Sequence, residues 1–203
     1  MTTGDAMTIN NYAYSMFNQF YELSLAGLPL AVSRLIAMYN AKGEYKTSNK
    51  VLRYAQIIML TLGAILGVSF FLFAKPFAVF QLGNTNANLL NDLIRTMQII
   101  APSLLILPFM SGMRGYLQGF KTVIGTSISQ VVERLVFVIV LLMMLYFGIY
   151  HFGLASTVAI SYAYIALPLA SIAAVFVLFP FYRNIRKEHK ELMEQEEPHK
   201  EHA

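Results

Sequence analysis

Five long apolar stretches, joined by connections that alternate between basic and non-basic, constrain this chain more than any motif in it. The stretches cover roughly 12–39, 54–80, 93–113, 135–152 and 154–182. Each meets or approaches the ~20 apolar residues that a helix needs to cross a ~30 Å hydrocarbon core. The fold class that follows is all-α: a polytopic membrane helix bundle with five transmembrane helices over 1–182 and a charged tail over 183–203. Lys42, Lys46, Lys50 and Arg53 crowd the first connection, Arg114, Lys121 and Arg134 the third, and Arg183, Arg186, Lys187, Lys190 and Lys200 the tail. Residues 1–11 and 148–156 hold no Lys or Arg, and 74–92 opens with Lys75 at the membrane edge. Basic segments stay on the cytoplasmic side. The expected topology therefore has the N-terminus outside and the tail cytoplasmic.

Composition excludes several classes. The chain is 57% hydrophobic and 13% charged, against about a quarter charged in soluble domains. Its net charge of +4 is explained by the basic connections, so no nucleic-acid partner is expected and membrane lipid is. With no cysteine, disulfides, thiolate metal sites and cysteine nucleophiles are ruled out. The first eleven residues, MTTGDAMTINN, have neither a basic nor an apolar leader region, so no cleavable signal peptide is expected.

Breakers punctuate the apolar stretches. Pro29, beside Gly27, should kink or break the first, because proline donates no backbone hydrogen bond. Gly63 and Gly67 give the second a small-xxx-small spacing suited to close helix packing, and it should end near Lys75-Pro76. Pro102 and Pro108 interrupt the third, and Pro168 stands at the centre of the fifth. The tail RNIRKEHKELMEQEEPHKEHA is expected to be a solvated segment, with helical continuation through Lys187–Glu191 and Lys190–Glu194 pairs as the alternative. His199 and His202 find no further ligand type nearby, so no metal or other cofactor is expected.

Catalytic signatures are missing: GxSxG, HExxH and a phosphate-loop lysine are all absent. No enzymatic role is expected. The informative residues are polar groups at membrane depth, which are costly there and tend to face cavities. Arg34 lies roughly 8 Å inside the first stretch at 1.5 Å per residue; it either snorkels to the interface or faces a cavity. Glu22 is a lone acid in the same stretch. In SGMRGYLQGF, Arg114 and Gln118 are four apart on one helix face, beside Gly112, Gly115 and Gly119. In TSISQVVERLVF, Gln130, Glu133 and Arg134 share another face. These groups either anchor helix ends at the membrane edge or form a cationic lining for an anionic headgroup, where Arg offers a planar fork for phosphate.

The stretch YAYSMF…LAGLPLAVSRLIA with its basic sequel, and RGYLQGF followed by ISQVVERLVF, resemble helices of the multidrug/oligosaccharidyl-lipid/polysaccharide exporter superfamily. The subgroup it is most similar to is the stage V sporulation protein B-like transporters, which are related to lipid II flippases. The resemblance covers most of 10–180. It implies a multi-pass protein of a bacterial cell membrane that moves an undecaprenyl-diphosphate-linked sugar by alternating access between two bundles. It would place Arg34, Arg114, Gln118, Glu133 and Arg134 at or near the cavity of the first bundle, and Gln130, on the same helix face as Glu133 and Arg134, joins them as a candidate substrate-binding residue. It also implies a helix before YAYS and a second bundle after the basic linker. On that reading the chain corresponds to most of one six-helix lobe, needs a second lobe or companion chain, and does not transport alone. A drug/cation antiporter of the same superfamily and a non-transporting membrane subunit are the alternatives.

The orientation is testable with introduced cysteines. Asn86→Cys should react with an impermeant thiol reagent from outside the cell and Ser48→Cys should not; the opposite result overturns the topology.

Overall fold

In the computed structural model, residues 3–25, 27–83 and 87–196 are described, and every regular element among them is helical. The order is α1 Thr3–Leu25, α2 Leu28–Ala41, α3 Tyr45–Leu72, α4 Ala74–Leu82, α5 Ala87–Gly119, α6 Ile124–Tyr146, α7 Ser156–Ala163 and α8 Ala166–Gln195. A π-helical turn, Phe147–His151, ends α6. Among the described residues, four helical runs are long and apolar enough to cross a membrane: Tyr45–Leu72, Ala87–Gly119, Ile124–His151 and Ser156–Gln195. The stretch 12–39, expected as one span, is instead carried by two helices. α1 is long enough but carries Asp5, Asn10, Asn11, Asn18, Gln19 and Glu22.

The prolines explain these divisions. Gly27 takes φ +75°, a left-handed conformation that glycine adopts without penalty, and Pro29 enters the first turn of α2. Pro76 and Pro168 likewise sit in the first turns of α4 and α8, where the missing N–H would have no intrahelical partner anyway. The expected central break at Pro168 is thus a helix start, and the chain turns just before it at Tyr164 and Ile165. Pro102, Pro108 and Pro180 remain inside helices.

α5 is the hub. It packs against α1, α2, α3, α7 and α8, and Leu93, Met97, Ile100, Leu104 and Leu117 on it are fully buried. Small residues set how closely neighbours approach. A Cβ at Gly63 would lie 3.0 Å from the Leu104 carbonyl oxygen and 3.1 Å from Pro108. That carbonyl is the one Pro108 leaves without its i+4 donor, so the glycine of α3 covers backbone that lipid could not satisfy. Side-chain bonds add to the packing: Tyr164 Oη donates to Asn10 Oδ1 at 2.5 Å, Thr96 Oγ1 to Ser161 Oγ at 2.8 Å, and Gln56 Nε2 to Tyr182 Oη at 3.0 Å. α6 is the outlier. It packs on α8 and α7, buries only Gly125, Thr126 and Ser129, and exposes Leu135, Val138, Ile139 and Leu142 in the manner of a lipid-facing helix.

Over 183–195 the tail takes the helical alternative, with its Lys, Arg and Glu side chains exposed and His189 turned inward. α8 is 30 residues long, about 45 Å at 1.5 Å per residue, so its charged end runs on beyond a ~30 Å core. It folds onto the basic end of the bundle, with His189 only 1% exposed. His199 and His202 lie outside the described residues, as does Asn86. Ser48 is fully buried, so a cysteine there would be silent from either side; exposed Lys42 is the better probe of the side expected to be cytoplasmic.

The glycine contacts of α5 rank by what the new methyl would meet. A Cβ would sit 2.7 Å from the Pro29 backbone oxygen at Gly115, 2.7 Å from Ile36 Cγ2 at Gly119, and 2.8 Å from Met59 Sδ at Gly112. Backbone cannot yield, a branched side chain yields partly, and a thioether end swings away. Thermal unfolding in detergent should therefore show Gly115→Ala as the most destabilising, by about 1–3 kcal/mol, then Gly119→Ala, with Gly112→Ala nearly neutral. The reverse order would refute this account of the α2–α5 contact.

Candidate functional site

Tight α2–α5 packing sets Pro29, in the first turn of α2, against Gly115, the residue after Arg114. Arg114 points toward α6. There the spacing of Thr126, Ser129 and Glu133 (i, i+3, i+7) turns one face of the helix toward α5. Arg114 Nε donates to Ser129 Oγ at 3.0 Å and Nη2 donates to Glu133 Oε2 at 2.8 Å. Ser129 Oγ donates in turn to the Thr126 carbonyl at 3.1 Å. The Arg114 and Glu133 side chains are 12% and 14% exposed, so the pair is largely shielded from bulk screening, and both hydrogen-bonding directions of Ser129 are used. Gly125 makes the arrangement possible from behind, since a Cβ there would lie 2.7 Å from the Phe181 ring of α8.

Because α6 leans on α8 rather than on α1, a cavity of about 550 Å³ opens between α1, α5 and α6. Its wall consists of Tyr21, Arg114, Gln130, Val131, Glu133, Arg134 and Leu135. Gln130 and Arg134 are exposed. A crevice continues it along α1 past Tyr14, Asn18 and Tyr21.

Four of the sequence-derived site residues thus meet in one wall: Arg114, Gln130, Glu133 and Arg134. Arg34 and Gln118 are not in it. Arg34 is exposed, and it projects from the side of α2 opposite Val32 and Ile36, which are buried against the bundle. Gln118, one turn beyond Arg114, is exposed outside the cavity lining. Glu22 is also exposed. Sequence reasoning missed Ser129, whose signal was its place four residues before Glu133. It also missed the α1 contribution, where Tyr14, Asn18 and Tyr21 recur at i, i+4 and i+7 and so share a face. Among the described residues no cluster of His, Cys, Asp or Glu is arranged to hold a metal ion.

Comparison with known proteins agrees with this architecture. The family model described as polysaccharide biosynthesis protein matches residues 8–195. The chain is 33% identical over 187 residues to a Bacillus subtilis (strain 168) protein named lipid II flippase MurJ, covering 91% of this chain and 34% of that protein. It is 30% identical over 168 residues to stage V sporulation protein B of the same organism, covering 81% of this chain and 30% of that protein. An uncharacterized membrane protein, YabM, from that strain is 28% identical over 120 residues, covering 59% of this chain and 20% of YabM. The chain spans about a third of the length of the first of these relatives. No solved structure matches significantly. An all-helical, multi-pass chain of the bacterial cell membrane that matches this model along nearly its whole length belongs to the polysaccharide biosynthesis protein family.

Proposed function

We propose that this chain supplies one lobe of a flippase for lipid-linked saccharide precursors. In this reading it grips the anionic headgroup of an undecaprenyl-diphosphate-linked sugar and releases it outward by alternating access against a second lobe or companion chain. Transporters built from repeats place substrate at the repeat interface, so the lobe alone does not complete a transport cycle. The carrying observation is the cavity wall, where two guanidinium groups, Arg114 and Arg134, face one carboxylate, Glu133, for a net charge of 2 − 1 = +1. Glu133 already holds Arg114, leaving Arg134 as the cation available to a phosphate. Gln130 and Tyr21 add neutral hydrogen-bonding groups. The name of one relative, a lipid II flippase, and the description of the family, polysaccharide biosynthesis protein, support the same substrate class. Nothing in this role calls for a catalytic residue or a cofactor. Arg34 would meet substrate from the other side of α2, and Gln118 from one turn beyond the cavity; both belong to the site only if the second lobe closes over those faces. The drug/cation antiporter reading is weaker, because Glu133, the one acid in the wall, is already paired with Arg114.

Binding to the lobe decides between these readings. In nanodiscs, the chain should bind undecaprenyl diphosphate at least tenfold more tightly than undecaprenol. Arg134→Ala should weaken diphosphate binding by about tenfold or more, the worth of a charge-assisted contact, and Arg134→Lys should restore it in part, keeping the charge without the fork. Glu133→Gln should bind as tightly or more so, since it releases Arg114. Equal affinity for the alcohol and the diphosphate would sink the proposal. Selective binding of a lipophilic cation, lost in Glu133→Gln, would favour the antiporter.

A further inference from the structure

We propose that His189 is a pH-sensitive latch that fastens the charged end of α8 across the ends of α3 and α5. The imidazole is bonded on both sides. Its Nε2 lies 2.9 Å from the Tyr45 carbonyl oxygen, which can only accept, and its Nδ1 lies 2.9 Å from Tyr116 Oη. The arrangement is satisfied by one form, the neutral ring protonated on Nε2, with Nδ1 accepting from the Tyr116 hydroxyl. The ring stacks on Tyr116 at 5.8 Å and meets Phe120 at 5.0 Å. It is 1% exposed, and Tyr116 is fully buried. Two further bonds follow the same strap: Glu196 accepts from the Lys46 backbone N–H at 2.9 Å, at the N-terminus of α3, and Arg186 donates to Asn49 Oδ1 at 3.3 Å. Beneath the strap lies a cavity of about 280 Å³ that reaches Asn40, Gly119 and Leu192.

A second proton on His189 would have to sit on Nδ1 and point at Tyr116 Oη. The hydroxyl would then have to turn its own proton away in a place where nothing else among the described residues is bonded to it. The groups facing the ring set the balance. From α3 these are the Tyr45 ring and carbonyl; from α5, Tyr116 and Phe120; from α8, Arg186; from the turn after α8, Glu196. The nearby α5–α6 turn adds Lys121, which lines the same cavity. The charged residues at this end, Arg183, Arg186, Lys187 and Glu188 among them, place it outside the hydrocarbon. Burial chiefly, with Arg186, holds the imidazole below its usual value of 6.5, against the opposing pull of the Tyr45 carbonyl and Glu196. In the released strap the ring returns to that usual value. At any pH well above 6.5 both states are neutral and the latch has its full strength. As pH falls through 6.5 the released state binds more protons, so the latch weakens. A histidine switch of this kind needs only a modest shift to act in the physiological range.

The chain has no cysteine, so a spin-label pair at exposed Lys50 and Glu191 can be placed in it without other changes. Double electron–electron resonance in nanodiscs should give one narrow distance at about pH 8, and a broader, longer distribution at about pH 5.5. His189→Gln, whose amide can still donate to Tyr45 and accept from Tyr116, should stay narrow at both. That control separates His189 from His151, His199 and His202, which it leaves in place. Tyr116→Phe removes the donor to Nδ1 and should move the transition to higher pH. An unchanged distribution in the parent protein, or the same pH response in His189→Gln, would overturn the proposal. Should His189→Gln be broad throughout, Tyr116→Phe decides: an upward shift supports the latch, and no shift refutes it.

Discussion

The rest of the bundle depends on the place where α2 and α5 touch backbone to backbone. A helix pair in lipid gains nothing from excluding water and is held by close packing and interhelical bonds. Here that closeness comes from residues that lack a Cβ. Gly115 admits the Pro29 carbonyl, and Gly119 admits Ile36 and the Ser33 carbonyl. Pro29 can be there because Gly27 lets the chain turn through a left-handed conformation at the end of α1. Moving α2 outward by one methyl would shift the start of α3, the bed of His189 and the helix face that carries Arg114.

Polar groups inside the bundle differ in whether another helix already satisfies them. Thr96 with Ser161, Tyr164 with Asn10 and Gln56 with Tyr182 are paired across helices and spent on packing. Arg114, Ser129 and Glu133 are also satisfied by one another. Arg134 and Gln130 differ, since they face open space in the same wall. The wall thus combines a fixed, mutually neutralised pair with an exposed guanidinium, that of Arg134.

Much of this was legible in the residues themselves. Apolar runs of membrane-crossing length leave little but helices, since every backbone group must be bonded internally in lipid. Spacing brought Gln130, Glu133 and Arg134 together because the geometry of one helix is local. The first break was readable for the same reason, Gly27 and Pro29 acting through their own dihedrals. Pro168 misled because a proline in an apolar run looks the same whether it interrupts a helix or begins one. The difference lies in the turn before it.

What tertiary structure alone decided is which helix faces meet. Arg34 and Arg114 sit at similar depth in the sequence, yet α2 rolls Val32 and Ile36 into the core and sends Arg34 outward. Ser129, a serine among several, matters only because α5 brings a guanidinium to it. The tail shows the difference most plainly. Its mixed charges read as solvated, and those side chains are exposed, but no local rule marks His189 as buried. Its place is fixed by a carbonyl from α3 and a hydroxyl from α5, each more than 70 positions away in the chain. Local chemistry determined the elements and their breaks; the fit of small residues against backbone determined the neighbours.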